Sequence, residues 1–149
     1  KTYNMTGWRI AFAVGNSDVL SGLGAIKTNV DSGVFQAVQE SAICALEADQ
    51  GCVEEMCRTY QGRRDVMLEG LAKIGLKADT PKATFYVWVS CPEGYTSAEF
   101  TAHLLKNCGV VTTPGNGFGP SGEGFVRMAL TVSEERIREA ISRMEKAGY

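Results

Sequence analysis

Hydrophobic and polar positions change period several times along this chain, and each change marks an element. The sharpest signal lies near the C-terminal end. There Ile137, Ala140, Ile141 and Met144 recur on one helical stripe behind Ser133, which predicts a helix over Glu134–Lys146. Upstream, alternating or apolar runs predict strands at Thr84–Ser90, Val110–Thr112 and Phe125–Leu130, with a helix over Ala98–Cys108 opened by the capping box Thr96-x-x-Glu99. The longest helical pattern covers Cys52–Ile74 and carries Val53, Met56, Tyr60, Met67, Leu68, Leu71 and Ile74 as its apolar positions, with Gly75 as its stop. Before it, Val34, Ala37, Val38, Ser41, Ala42 and Ala45 predict a second helix, and Asp31-Ser32-Gly33 separates this from a first helix over Val19–Lys27 capped by Ser17 or Asp18. Arg9–Val14 reads as a buried strand closed by Gly15-Asn16.

Strands interleaved with covering helices predict an α/β fold. The charge-rich outer face of the Cys52–Ile74 helix suggests a connector between two bodies. The chain is therefore expected to divide near Asp49, with 1–49 the remnant of a larger domain and 50–149 a small α/β domain in which a short sheet is covered by helices.

Composition narrows the classes. A net charge of −2 without a basic run argues against a nucleic-acid face. The longest clean apolar run, Ile10–Val14, is strand-sized and far short of a membrane span, and no apolar segment after Lys1 resembles a signal peptide. Five cysteines, an odd number in a chain of ordinary apolar content, fit a reducing cytoplasmic setting better than a disulfide framework. Cys52 and Cys57, with the single histidine His103 far away, do not make a zinc set, so no metal is expected.

Two segments carry candidate chemistry. The first is Lys1-Thr-Tyr-Asn-Met-Thr-Gly7-Trp-Arg9-Ile-Ala11, which could be no more than a polar loop entering a strand. It also places an amine able to form an imine eight residues before a guanidinium suited to a phosphate. The second is the glycine-rich loop Pro114–Gly124 followed by Phe125-Val-Arg127-Met-Ala-Leu130. A dinucleotide loop would open a helix, whereas this one opens a strand, so that reading fails. An arginine inside an apolar strand needs a charge partner, either an internal carboxylate or a bound anion. Asn29, at the end of a helix, fits a C-cap or turn as well as a binding role. Tyr86 and Trp88 share one face of their strand and are expected to pack there, and His103 reads as a surface or packing residue.

The first segment resembles the cofactor-lysine signature of class I and II aminotransferases, fold type I enzymes that use pyridoxal 5'-phosphate (PLP). The matching features are the lysine, the glycine two residues before the arginine, and an apolar and a small residue after it. The resemblance extends over the whole chain through Asn29-Val-Asp-Ser-Gly33, Pro81-x-x-Thr84-Phe-Tyr-Val-Trp88 and Gly122-Glu-Gly-Phe-Val-Arg127, and is strongest to the LL-diaminopimelate aminotransferases. It implies that Lys1 is catalytic and binds the cofactor, that Arg9 holds its phosphate, and that Arg127 clamps the substrate α-carboxylate. It also implies that Asn29 serves the cofactor and substrate region of a neighbouring subunit in a cytoplasmic homodimer. The implied reaction moves an amino group between an amino acid and a 2-oxo acid. The aspartate, aromatic and phosphate-binding groups that complete such a pocket would come from sequence before the lysine, so this portion alone is expected to be inactive. The alternative is an aminotransferase-like ligand-sensing domain of a transcription regulator, which a winged helix-turn-helix upstream would reveal.

Overall fold

The computed structural model describes residues 1–149, which form two compact units, Lys1–Glu55 and Met56–Tyr149.

In the first unit the chain opens with a tight coil. The Asn4 amide donates to the Lys1 carbonyl (3.1 Å) and the Trp8 amide to that of Met5 (3.0 Å), which closes a 3-10 turn at Thr6–Trp8. Arg9 ends that turn in the left-handed region (φ 55°). The strand expected over Arg9–Val14 does not form; the segment is irregular and largely exposed. An extended run becomes a strand only by exchanging hydrogen bonds with a neighbour, and this unit holds no second strand to supply one. Helix α1 runs over Ser17–Val30, and its N-cap is Asn16 rather than Ser17 or Asp18. The Asn16 side chain accepts from the Asp18 and Val19 amides at 2.9 and 3.2 Å, a role that asparagine fills at least as well as serine. Gly33 turns the chain at φ 100°, and α2 follows over Gln36–Glu47. No side chain of this unit is buried.

Helix α3, Gly51–Lys73, runs out of the first unit into the second. It ends in a Schellman motif: Leu76 N–H donates to the Leu71 carbonyl (3.0 Å) and Gly75 N–H to that of Ala72 (3.1 Å), with Gly75 at φ 77°. The accompanying contact is apolar, since Leu71 and Leu76 both lie in the core. Strand β1 begins at Tyr86, two residues later than expected, because Thr84 takes a left-handed conformation (φ 72°) that no strand accepts. Helix α4, Ser97–His103, carries the complete capping box between Thr96 and Glu99, then passes into a π-helical turn, Leu104–Cys108.

The strand expected at Val110–Thr112 is displaced to β2, Thr113–Pro114. The Val110 amide is already committed to the helix end, donating to Leu104 (3.1 Å), so the ladder starts later. Strand β3 spans Phe125–Ala129, and α5 covers Glu134–Lys146, as its periodicity predicts.

The sheet is antiparallel, in the order β1-β3-β2, with Val87 opposite Met128 and Trp88 opposite Arg127. Alternation sends Val87, Val89, Val126 and Met128 into one core with Leu71, Phe100, Leu104, Ile137 and Met144 of the helices. Full burial of side chains of this size contributes about 1.5–3 kcal/mol each, so this face of the sheet holds the unit together. Arg63 of α3 closes the end of the sheet by donating from Nη1 to the Leu130 carbonyl at 3.1 Å.

Candidate active site

The opposite face of the sheet is built differently. Tyr86 and Trp88 of β1 and Phe125 and Arg127 of β3 point away from the core, each alternating with a buried neighbour. Arg127 is half-buried, and its guanidinium carbon lies 4.0 Å from the centre of the Tyr86 ring and 4.4 Å from that of Phe118. The internal ion pair that the sequence allowed is not formed. Ring faces balance part of the charge, and the N–H groups donate to no other residue of the chain. Five in-plane donors thus stay available for an anion, and a carboxylate can take two at once.

Phe118 comes from the glycine-rich loop, whose ends are pinched together. A side chain at Gly115 would run into the Gly122 carbonyl, and its Cβ would lie 2.7 Å from the Phe125 carbonyl oxygen. Only glycine permits so close a backbone approach. The pinch brings two short 3-10 turns, Gly115–Phe118 and Pro120–Gly122, back over the sheet, where the Phe118 ring meets Trp88 edge-on at 5.4 Å. A shallow cavity of about 510 Å³ opens beside this pair, lined also by Asp79, Pro81, Ser121 and Phe125.

Ser97 fastens the other side of the loop. It is fully buried, and its Oγ accepts from the amides of Gly124 (2.9 Å) and Phe125 (3.2 Å). Glu123 returns the connection by accepting from the Ser97 amide at 2.8 Å, at the N-terminal end of α4. That bond, followed by one from the Gly124 amide, holds the Glu123 carboxyl below the usual carboxylate range. Burial pushes the adjacent Cys91 thiol up, which keeps it protonated.

The other residues singled out by sequence lie in the first unit. Lys1 is exposed at the edge of an open groove of about 700 Å³ bounded by Tyr3, Met5, Ile10, Phe12, Val34 and residues of α2. Arg9 is also exposed, and its side chain makes a single long bond to the Thr6 carbonyl at 3.4 Å. No acidic residue occurs between Lys1 and Ser17, so this segment is locally cationic and suited in charge to a phosphate. Asn29 sits in the last turn of α1, where its Nδ2 donates to the Ala25 carbonyl at 2.8 Å.

Sequence reasoning singled out Arg127 but not its ring partners, taking Tyr86 for packing and giving Phe118 no role. A phenylalanine among glycines in an otherwise polar loop was the available signal. His103 packs edge-on against Tyr95 and Tyr149, with Nδ1 3.3 Å from the Tyr95 hydroxyl, as a packing histidine should.

The sequence profile of the family described as aminotransferase class I and II matches residues 1–144. An LL-diaminopimelate aminotransferase of Syntrophobacter fumaroxidans is 59% identical over 149 residues, and LL-diaminopimelate aminotransferase 2 of Nostoc sp. is 55% identical over 148. These alignments take in 100% and 99% of this chain but 38% of each relative, so the chain spans well under half of their length. Among solved structures, apo-BacF of Bacillus subtilis superposes with a TM-score of 0.93 at 38% identity, over 100% of this chain and 38% of that one.

Proposed function

Because the chain belongs to the class I and II aminotransferases, we propose that it serves as the cofactor-lysine and carboxylate-binding portion of a PLP-dependent enzyme. That enzyme moves an amino group between an amino acid and a 2-oxo acid. Residues 1–49 belong on this reading to the large cofactor-binding domain and 50–149 to the small C-terminal domain. LL-diaminopimelate or a related amino acid is the proposed substrate, on the strength of the relatives named above. Those relatives are enzymes, which favours catalysis over the ligand-sensing alternative. The enzyme is proposed to work as a cytoplasmic homodimer; no helix is long and apolar enough to cross a membrane.

The cofactor, when bound, supplies an aldehyde that carries the amino group and a conjugated ring that accepts electrons from the substrate Cα–H bond. Lys1 would hold the cofactor through its ε-amine between turnovers, and the same amine, once freed, would carry the proton removed from the substrate Cα. Arg9 binds the phosphate with the in-plane donors that its one long bond leaves free. Asn29 contributes a polar contact to the site of the neighbouring subunit. Arg127 binds the substrate α-carboxylate through its in-plane donors and thereby orients the substrate on the outer face of the sheet.

The observation that carries this reading is Arg127, half-buried on an apolar strand without a carboxylate partner. The test uses two variants of the full-length enzyme. Arg127→Lys replaces a bidentate contact worth about 1.5–3 kcal/mol, so KM should rise about 10- to 150-fold for every amino-acid substrate while PLP stays bound. Lys1→Ala should abolish borohydride-trappable cofactor and lower turnover by orders of magnitude. Loss of PLP with an unchanged KM in the first variant, or full turnover in the second, would refute the assignment.

A further inference from the structure

We infer that Phe118 and Tyr86 are positioning residues for Arg127: their ring faces hold the guanidinium in place while leaving its N–H donors for the incoming anion. This rests on the reading of Arg127 as the carboxylate-binding group. An arginine side chain is long and loses much rotamer freedom when it is fixed to a ligand. A protein can limit that loss by restraining the side chain beforehand. A carboxylate neighbour would restrain it at the expense of the same donors the substrate needs. A ring face attracts the charge through its quadrupole and accepts no in-plane fork, so it restrains without competing.

The distances match that use, with the guanidinium carbon 4.0 Å from one ring centre and 4.4 Å from the other. The two rings come from different places. Tyr86 lies on β1, diagonal to Arg127 in the register that sets Trp88 opposite it. Phe118 arrives through the pinched loop and is braced by Trp88 at an interplanar angle of 79°. Folding alone does not account for this placement. Phe118 is 51% exposed and Trp88 38%, and neither belongs to the core. A half-exposed phenylalanine gains little burial in a loop of glycines, whereas over a guanidinium it orders the group that meets the substrate.

The experiment separates ring character from bulk, using the full-length PLP-loaded enzyme. Phe118→Leu and Tyr86→Leu keep apolar volume and remove the ring, whereas Phe118→Tyr and Tyr86→Phe keep the ring. Each leucine variant should raise KM about 3- to 30-fold for all amino-acid substrates, with a much smaller change in kcat and with cofactor absorbance retained. The ring-retaining variants should recover most of the lost affinity. In an Arg127→Lys background, Phe118→Leu should add far less than it does alone, because the fork it positions is gone.

If leucine and ring-retaining variants are equally impaired, the residues act by packing and the inference is wrong. It is equally wrong if Phe118→Leu leaves KM unchanged while Arg127→Lys raises it, although the carboxylate role then stands. An Arg127→Lys variant with normal KM would remove both. Should Phe118→Leu lose its cofactor through misfolding, the Tyr86 pair, whose strand does not depend on the loop, gives the same comparison.

Discussion

Replacing Gly115 with alanine adds one methyl group at the narrowest point of the glycine-rich loop. Gly115 is buried, and the new Cβ would lie 2.9 Å from the Gly122 carbonyl carbon, 2.7 Å from the Phe125 carbonyl oxygen and closer still to that of Gly122. None of these is the tip of a flexible side chain. Phe125 is fixed by its place in β3, and the Gly122 carbonyl also accepts from Ser97 Oγ at 3.4 Å. The backbone itself must move by the better part of an ångström, and overpacking of this kind costs about 1–3 kcal/mol. Gly117, in the same 3-10 turn, gives the control: nothing lies within 4 Å of its virtual Cβ and its φ is ordinary. Gly117→Ala should be neutral or stabilising by about 0.4–1 kcal/mol, through a less flexible unfolded chain. Denaturant unfolding of the two variants in the full-length protein should therefore shift the midpoints in opposite directions at constant m. Because the pinch also delivers Phe118, Gly115→Ala should raise the substrate KM as well. Equal stability of the two variants would refute the steric account of the loop.

Two further outcomes follow from other buried groups. Ser97→Ala strips the Phe125 amide of its side-chain acceptor and leaves the Gly124 amide only the Glu123 carboxylate; a loss of about 1–3 kcal/mol and faster hydrogen exchange at both amides are expected, and unchanged exchange would contradict the fastening role. The Tyr149 hydroxyl is buried without a hydrogen bond; burial first, then Tyr95 beside it but outside bonding geometry, pushes its pKa up to about 12. A raised acid pKa means the fold favours the protonated phenol, so this stabilisation is complete below the unfolded pKa near 10 and is lost as pH rises towards about 12. Tyr149→Phe should flatten the alkaline limb of the stability profile in that interval and leave neutral-pH stability equal or slightly higher, as read by thermal melts across pH.

How legible each element is in the sequence depends on how far away its causes lie. Helix α5 is legible to the residue because its stripe, its cap and its terminal charges are all local. The same holds for the capping box at Thr96 and the stop at Gly75. The Arg9–Val14 segment has the composition of a strand, but pairing is supplied by a neighbour, and composition cannot say whether one is present. Strand β2 slips because the Val110 amide is claimed by the preceding helix, a competition that periodicity does not register. Arg127 stands out from sequence as a charge among apolar residues. Phe118 does not, since its position depends on the meeting of Gly115 and Gly122 and on a strand 30 residues upstream, at Trp88.

The three-stranded sheet works as a partition. On β1 and β3, residues that hold the fold alternate one by one with residues of the outer face that carries Arg127. The partition makes each strand intolerant of a single inserted or deleted residue, which would carry Arg127 into the company of Phe100 and Leu104 and turn Val126 and Met128 out to water. Point substitutions on the outer face do not shift the register, because Tyr86, Trp88 and Phe125 lie outside the core cluster. Side chains on one surface can therefore be exchanged while the other stays unchanged. Such an arrangement lets the outer surface of a small scaffold diverge without renegotiating its stability each time.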